Sequence, residues 1–201
     1  MIRCAISDGV RFGNSAAARR AGLLADAVRW AELGVDFVQL REKTLDPGEL
    51  VNLARAMMAV FREQGGTTKL LVNGRPDVAI AAGADGVHLT SSSSELAAAQ
   101  VRTLFTEAGL GEAVGGVSCH TLSDVERIRE AGVDLILFGP VFEKRVGGTV
   151  VSEGVGLEAL REACEIAGVT SVLALGGVDE ENASICLEAG AAGIAGIRCF
   201  Q

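Results

Sequence analysis

What the chain lacks narrows the field first. It has no basic excess: 18 Lys and Arg stand against 26 Asp and Glu, a formal net charge of −8. That balance argues against general nucleic-acid affinity, which needs a basic face. An anionic ligand must then be held by local groups, such as helix N-termini and a few Arg or Lys. No apolar run reaches membrane-spanning length, and no signal peptide opens the chain. The five cysteines (Cys4, Cys119, Cys164, Cys186 and Cys199) are odd in number and have no CxxC spacing, which reads as reduced thiols in a cytoplasmic protein. Neither a Pro/Ser-rich linker nor a charge block divides the 201 residues, so a single domain over 1–201 is expected. Apolar content of 49% with 22% charged residues is ordinary globular composition.

What is present is a phrase used four times: a helix tail, a glycine, a turn, then an apolar strand. Gly34-Val35-Asp36 leads into Phe37–Leu40, and Gly83-Ala84-Asp85 into Gly86–Leu89. Gly132-Val133-Asp134 leads into Leu135–Phe138, and Gly190-Ala191-Ala192 into Gly193–Gly196. Each glycine sits where a helix ends through a left-handed residue. Each following run is apolar on both faces, as a parallel strand under helices must be. The copies recur about every fifty residues, the length of two β-α units, which predicts a (β/α)8 TIM barrel with its chemistry just after the strands.

The pattern places strands at Ile2–Ser7, Asp36–Leu40, Lys69–Val72, Gly86–Leu89, Ala113–Val117, Asp134–Phe138, Ser171–Leu175 and Gly193–Ile197. Helices are expected at Ala17–Leu33, from Pro47 behind an Asp46 cap to Gln64, and at Pro76–Ala82. Further helices are expected from a Ser91–Ser94 cap to Phe105, and at Leu122–Ala131, Leu157–Ala167 and Glu180–Ala189. The segment Val141–Gly154, with Gly147 and Gly148, reads as a mobile lid loop. The sequence stops at Gln201 with no eighth helix, leaving that side of the barrel open or covered by a partner subunit.

The strand ends carry the distinctive residues. They are Gln39-Leu40-Arg41-Glu42-Lys43, Asn73-Gly74-Arg75-Pro76-Asp77, Val87-His88-Leu89, Gly116-Val117-Ser118-Cys119-His120-Thr121, Phe138-Gly139-Pro140-Val141-Phe142, and Ala174-Leu175-Gly176-Gly177-Val178 followed by Glu181-Asn182. In this order, over nearly the whole chain, they resemble the thiamine phosphate synthase/TenI family. The resemblance implies thiamine biosynthesis by one of two chemistries. A synthase joins a pyrimidine diphosphate to a thiazole phosphate, expelling pyrophosphate with Mg²⁺. A TenI-type thiazole tautomerase moves a proton on a thiazole carboxylate phosphate and needs no metal.

The synthase pattern has magnesium-binding aspartates after the asparagine of the third strand and shortly after the VHL of the fourth. Here those places hold Gly74 and Ser92–Ser94, and serine hydroxyls replace carboxylates poorly around a hard dication. Asn-Gly-Arg and the Phe-Glu after Gly139-Pro140-Val141 resemble the tautomerase branch. The expectation is therefore a tautomerase with no cofactor and no metal site. The alternatives are a divergent synthase, which would use Mg²⁺, and a non-catalytic thiazole- or thiamine-phosphate-binding regulator.

His120, just past the fifth strand, is expected to be the acid/base, since imidazole titrates near neutrality; a capping histidine is the bland reading. His88, inside its strand, reads as a core residue. Cys119 diverges from His120, because adjacent strand residues face opposite ways. Arg41 and Lys43 alternate on the strand exit and are expected, with Asn73 and the lid's Lys144, to bind the substrate's polar groups. Gly176 and Gly177, with Gly196, Ile197 and Arg198, match the barrel's phosphate cradle, which binds anions through backbone N–H groups. Arg198, where the family has a small residue, either adds a charge to that cradle or blocks it. The expected partner is a phosphorylated thiazole rather than nucleic acid or membrane, and a homo-oligomer is expected.

Overall fold

The computed structural model describes residues 1–92, 96–146 and 149–201, with the backbone alone over 144–146 and 149–151. Strands β1 (Ile2–Ile6), β2 (Phe37–Leu40), β3 (Lys69–Asn73), β4 (Gly86–Thr90), β5 (Val114–Cys119), β6 (Leu135–Phe138), β9 (Ser171–Leu175) and β10 (Gly193–Gly196) close a parallel eight-stranded barrel in that order. Helices α1 (Ala16–Glu32), α2 (Pro47–Glu63), α3 (Pro76–Ala82), α4 (Ala98–Glu107), α5 (Leu122–Ile128), α6 (Gly156–Ala167) and α7 (Ala183–Glu188) connect them. This is the TIM barrel the repeat predicts.

The repeat has a physical basis at both of its marked positions. All four glycines have positive φ, at 65° for Gly34, 69° for Gly83, 66° for Gly132 and 102° for Gly190. The aspartate that follows in three copies is a staple to the preceding strand. Asp36 accepts from the Arg3 N–H (2.8 Å), Asp85 from the Leu70 N–H (2.8 Å) and Asp134 from the Gly115 N–H (2.7 Å). In each case the aspartate's own N–H returns to the same residue's carbonyl, at 3.1, 3.1 and 2.9 Å. The fourth copy keeps only the backbone half: the Ala192 N–H donates to the Val172 carbonyl (2.8 Å).

The register stacks the barrel interior in layers of four. Above Ile2, Lys69, Val114 and Ser171 at the foot, Phe37, Gly86, Leu135 and Gly193 form one layer, followed by Cys4, Leu71, Gly116 and Leu173. Gln39, His88, Leu137 and Ala195 come next, then Ile6, Asn73, Ser118 and Leu175. Glycine is required in the layer of Phe37, where a Cβ on Gly86 would lie 2.0 Å from the Val114 carbonyl oxygen and one on Gly193 1.9 Å from that of Ile2. A second core lies between barrel and helices, with Leu23, Trp30, Leu53, Met57, Phe105, Ile136 and Leu160 fully buried.

Several element boundaries differ from expectation for local reasons. α2 opens as foreseen, with an Asp46–Glu49 capping box and Pro47 at its start. α4 begins at Ala98, later than a serine cap would put it, and the Gln100 side chain accepts from the Ala97 N–H (2.8 Å). Ser93 and Ser94 lie outside the described residues. α7 starts three residues late because Asp179 accepts from the Glu181 and Asn182 N–H groups (both 3.0 Å) and holds them in a side-chain turn. The Val141–Gly154 segment is not an unstructured loop: β7 (Lys144–Val146) and β8 (Thr149–Ser152) pair antiparallel. Gly147 and Gly148 lie outside the described residues. A 3-10 turn over Gly9–Phe12, unforeseen, precedes α1. After β10, residues 197–201 hold a turn; Phe200 is buried and its carbonyl accepts from the Trp30 indole N–H (3.1 Å).

Candidate active site

The upper layers bring polar groups together on one wall. Gln39, Asn73, His88 and Ser118 come from β2 to β5, while Ile6, Leu137, Leu175 and Ala195 line the opposite side. The Gln39 amide donates to Asn73 Oδ1 (3.0 Å), which leaves the Asn73 amide hydrogens available. His88 is 1% exposed, with Nε2 2.8 Å from Ser118 Oγ and Nδ1 buried without a partner among the described residues. Burial, with the Arg41 charge in second place, pushes its imidazole down to about 3, so it stays neutral at working pH. The ring fits because residue 116 is glycine: a Cβ there would sit 2.6 Å from Nδ1. His88 is thus the core histidine expected, but it supports a hydroxyl of the mouth.

His120 follows β5 and is exposed. Its Nδ1 lies 2.6 Å from the Gly139 carbonyl oxygen at the end of β6. A carbonyl only accepts, so Nδ1 carries the hydrogen, and in the neutral ring Nε2 presents a lone pair. Gly139 has no room for a side chain, since a Cβ would lie 1.9 Å from the Leu175 carbonyl oxygen. Cys119, one residue before, is buried in the outer core, and burial, then the Asp124 charge, raises its thiol to about 12. It is a packing residue rather than a nucleophile.

Arg41 is exposed one position beyond β2, close enough to act electrostatically on His88. Its backbone is set by a buried network missed from sequence. The Arg41 N–H donates to Ser7 Oγ (2.8 Å), Ser7 donates to Glu42 (2.6 Å), and Glu42 also accepts from the Gly9 N–H (3.0 Å). Strand pairing stops at Leu40 and Lys43 lies in a turn, so the alternation that would aim Lys43 beside Arg41 does not extend to it. The Lys144 side chain lies outside the described residues.

Gly176 and Gly177 have φ of 90° and 66° and are pressed against the segment after β6. Cβ atoms on them would lie 2.5 Å from Pro140 Cβ and 2.7 Å from Phe142 Cβ. The Val141 and Phe142 N–H groups donate to the Leu175 and Gly176 carbonyls (2.8 and 3.0 Å). The glycine pair expected to cradle phosphate therefore shares a backbone seam with the segment that leads into the β7–β8 hairpin. Gly196 abuts Cys199, Ile197 packs on the barrel interior, and Arg198 is exposed. Its guanidinium has no ion pair among the described residues. A recess of about 510 Å³ between α1 and α2, reaching Glu42, does not coincide with this mouth. The strand ends that converge on the mouth make it the candidate site.

Residues 14–200 match the thiamine monophosphate synthase (TMP-TenI) family. The chain belongs to that family. It is 41% identical over 162 residues to a putative thiamine-phosphate synthase of Geobacter sulfurreducens, covering 81% of this chain and 71% of that protein. It is 35% identical over 168 residues to putative thiamine-phosphate synthase 2 of Aquifex aeolicus, covering 83% of each. The thiamine phosphate pyrophosphorylase structure from Pyrococcus furiosus superposes with a TM-score of 0.76 at 24% identity, over 98% of this chain and 85% of that one, a likeness of fold. The relatives' names favour the synthase alternative over the tautomerase expected from the strand ends.

The family's magnesium site is the point of tension. Gly74 has φ 62° and no side chain, and its N–H donates to the His88 carbonyl (2.8 Å). Asp77, the next acid along, is taken by Arg75 in two hydrogen bonds of 2.8 and 2.6 Å, which hold its carboxyl below the usual range. Among the described residues no group of three His, Cys, Asp or Glu side chains gathers around one point. Among the described residues the carboxylates of the family's Mg²⁺ site are not assembled; Glu95, the acid that follows the serine run, lies outside them.

Proposed function

We propose that residues 1–201 form one cytoplasmic enzyme of thiamine biosynthesis that aromatises a thiazole carboxylate phosphate by proton transfer. The observation that carries this reading is the His120–Gly139 hydrogen bond, which leaves Nε2 as a base at the strand-end rim. In this reading Nε2 takes a proton from one ring carbon and returns it at another position, so no electrons are gained or lost and no second substrate is consumed. Arg41, Lys43, Asn73 and Lys144 hold the carboxylate and polar ring atoms. The phosphate sits on the Gly176–Gly177 and Gly196–Ile197 backbone, with Arg198 as an added cation. Carbon-bound deuterium appearing when the thiazole carboxylate phosphate is incubated with enzyme in D₂O is the expected result.

The second reading is a thiamine-phosphate synthase, favoured by the relatives' names. Incubation with pyrimidine diphosphate, thiazole phosphate and Mg²⁺ tests it: stoichiometric pyrophosphate release, lost in Glu95→Gln, would replace the tautomerase. Tight binding of thiazole phosphate with neither reaction would make the chain a binding protein.

A further inference from the structure

Asp124 makes more bonds than a helix start requires. At the third position of α5 it would ordinarily return one hydrogen bond to the Thr121 cap, and it does so: Oδ2 accepts from the Thr121 N–H (3.0 Å), while Thr121 Oγ1 accepts from the Asp124 N–H (3.1 Å). The same Oδ2 also accepts from the N–H of His120, outside the helix, at 3.1 Å. The other oxygen, Oδ1, takes the Arg127 guanidinium at 2.5 Å. From there Arg127 reaches across to β4's exit and donates to the Ser91 carbonyl (2.8 Å).

His120 is consequently held at two points, its backbone by Asp124 and its ring by the Gly139 carbonyl. The Asp124 side chain is 16% exposed and that of Arg127 50%. Burial works against ionisation of Asp124, but the hydrogen bonds from His120, Arg127, Thr121 and Ser91 outweigh it and hold its carboxyl well below the usual range. A permanently ionised carboxylate tying two strand ends together is a device for fixing geometry.

We propose that Asp124 and Arg127 form a positioning clamp that sets the reach of His120 and couples it to the β4–α4 connection at Ser91. The proposal rests on His120 being the acid/base. The groups facing His120 are the Gly139 carbonyl from β6, the Asp124–Arg127 pair from α5 and, through Arg127, Ser91 after β4. An imidazole displaced by about 1 Å from its productive position loses on the order of a hundredfold in rate.

The test compares Asp124→Ala, Asp124→Asn, Arg127→Gln and His120→Asn in the D₂O exchange assay, each with kcat, KM and Tm. Asp124→Ala is expected to lower kcat by about 30-fold with KM changed less than about threefold. Asp124→Asn, which keeps an acceptor for both N–H groups, restores most of it. Arg127→Gln gives a loss of a few-fold with the helix cap intact. If Asp124→Ala and Arg127→Gln change Tm but leave kcat at wild type, Asp124 is a helix cap and the clamp is wrong.

The chain has two histidines, so the imidazole C2–H proton signals give a readout free of turnover, with His120→Asn assigning them. The His120 signal should shift or broaden in Arg127→Gln while that of His88 stays put; an unmoved His120 signal overturns the clamp. Full turnover by His120→Asn would instead remove the acid/base reading, whatever the spectra show. Should Asp124→Ala fail to fold, the Asn and Gln variants decide the matter.

Discussion

The two walls of the barrel interior are built on one template and do different work. From β2 to β5 the upper layers carry Gln39, Asn73, His88 and Ser118, while β6, β9, β10 and β1 present Leu137, Leu175, Ala195 and Ile6 at equivalent positions. The apolar wall stabilises by burial alone. The polar wall has buried groups to satisfy, and it pairs its side chains, Gln39 with Asn73 and His88 with Ser118. One atom, His88 Nδ1, has no partner among the described residues. A TIM barrel can thus divide its core into an apolar half and a half lined by paired polar groups.

Four substitutions break or sharpen that contrast. The largest effect belongs to His120→Asn, which should lower proton exchange by roughly 10²–10⁴-fold with Tm unchanged, as read from D₂O incorporation and thermal melts. On the apolar wall, Leu137→Ala removes a 0% exposed side chain and should cost about 3 kcal/mol in denaturant unfolding. The surviving folded fraction keeps its kcat; a large kcat loss would mean that this wall also shapes the site.

The third concerns pH. Because His88 is held down to about 3 when folded and titrates near 6.5 when unfolded, the unfolded chain binds the extra proton between those values. Stability should therefore fall as pH drops through that window, with a slope of up to about 1.4 kcal/mol per pH unit. His88→Gln should flatten the Tm-versus-pH curve between pH 4 and pH 6.5; an unchanged curve would place the acid sensitivity elsewhere. The smallest effect is a gain. Ala192→Asp supplies the staple absent from the fourth repeat, aimed at the Val172 N–H, and should add about 1 kcal/mol in a urea melt.

How much of this the residues announced depends on which force set each feature. The glycine phrase was legible because a left-handed helix end and a doubly covered strand leave strong local marks, and all eight strands fall within a residue or two of expectation. His120 was legible as a residue type at a strand end. Its tautomer was not, because that depends on the Gly139 carbonyl, brought in by barrel closure. Ser118 had a signal that went unused: it lies two residues before His120, on the same strand face. Glu42, Asp124 and the late starts of α4 and α7 were hidden for another reason. Each is decided by a polar side chain accepting from one particular backbone N–H, a choice worth about a kilocalorie per mole. The gap at Gly74 and the serine run was visible from the start, because a missing carboxylate is read directly from the residue type.

The junction of Trp30 with Phe200 has an optical consequence. The chain contains a single tryptophan, its side chain 1% exposed and its indole N–H given to the carbonyl of the penultimate residue. Its fluorescence therefore reports how the last residues seat on the first helix. Any event that lifts them away would move the emission to longer wavelength before the barrel itself is lost, giving a label-free view of how the first and last strands are kept side by side.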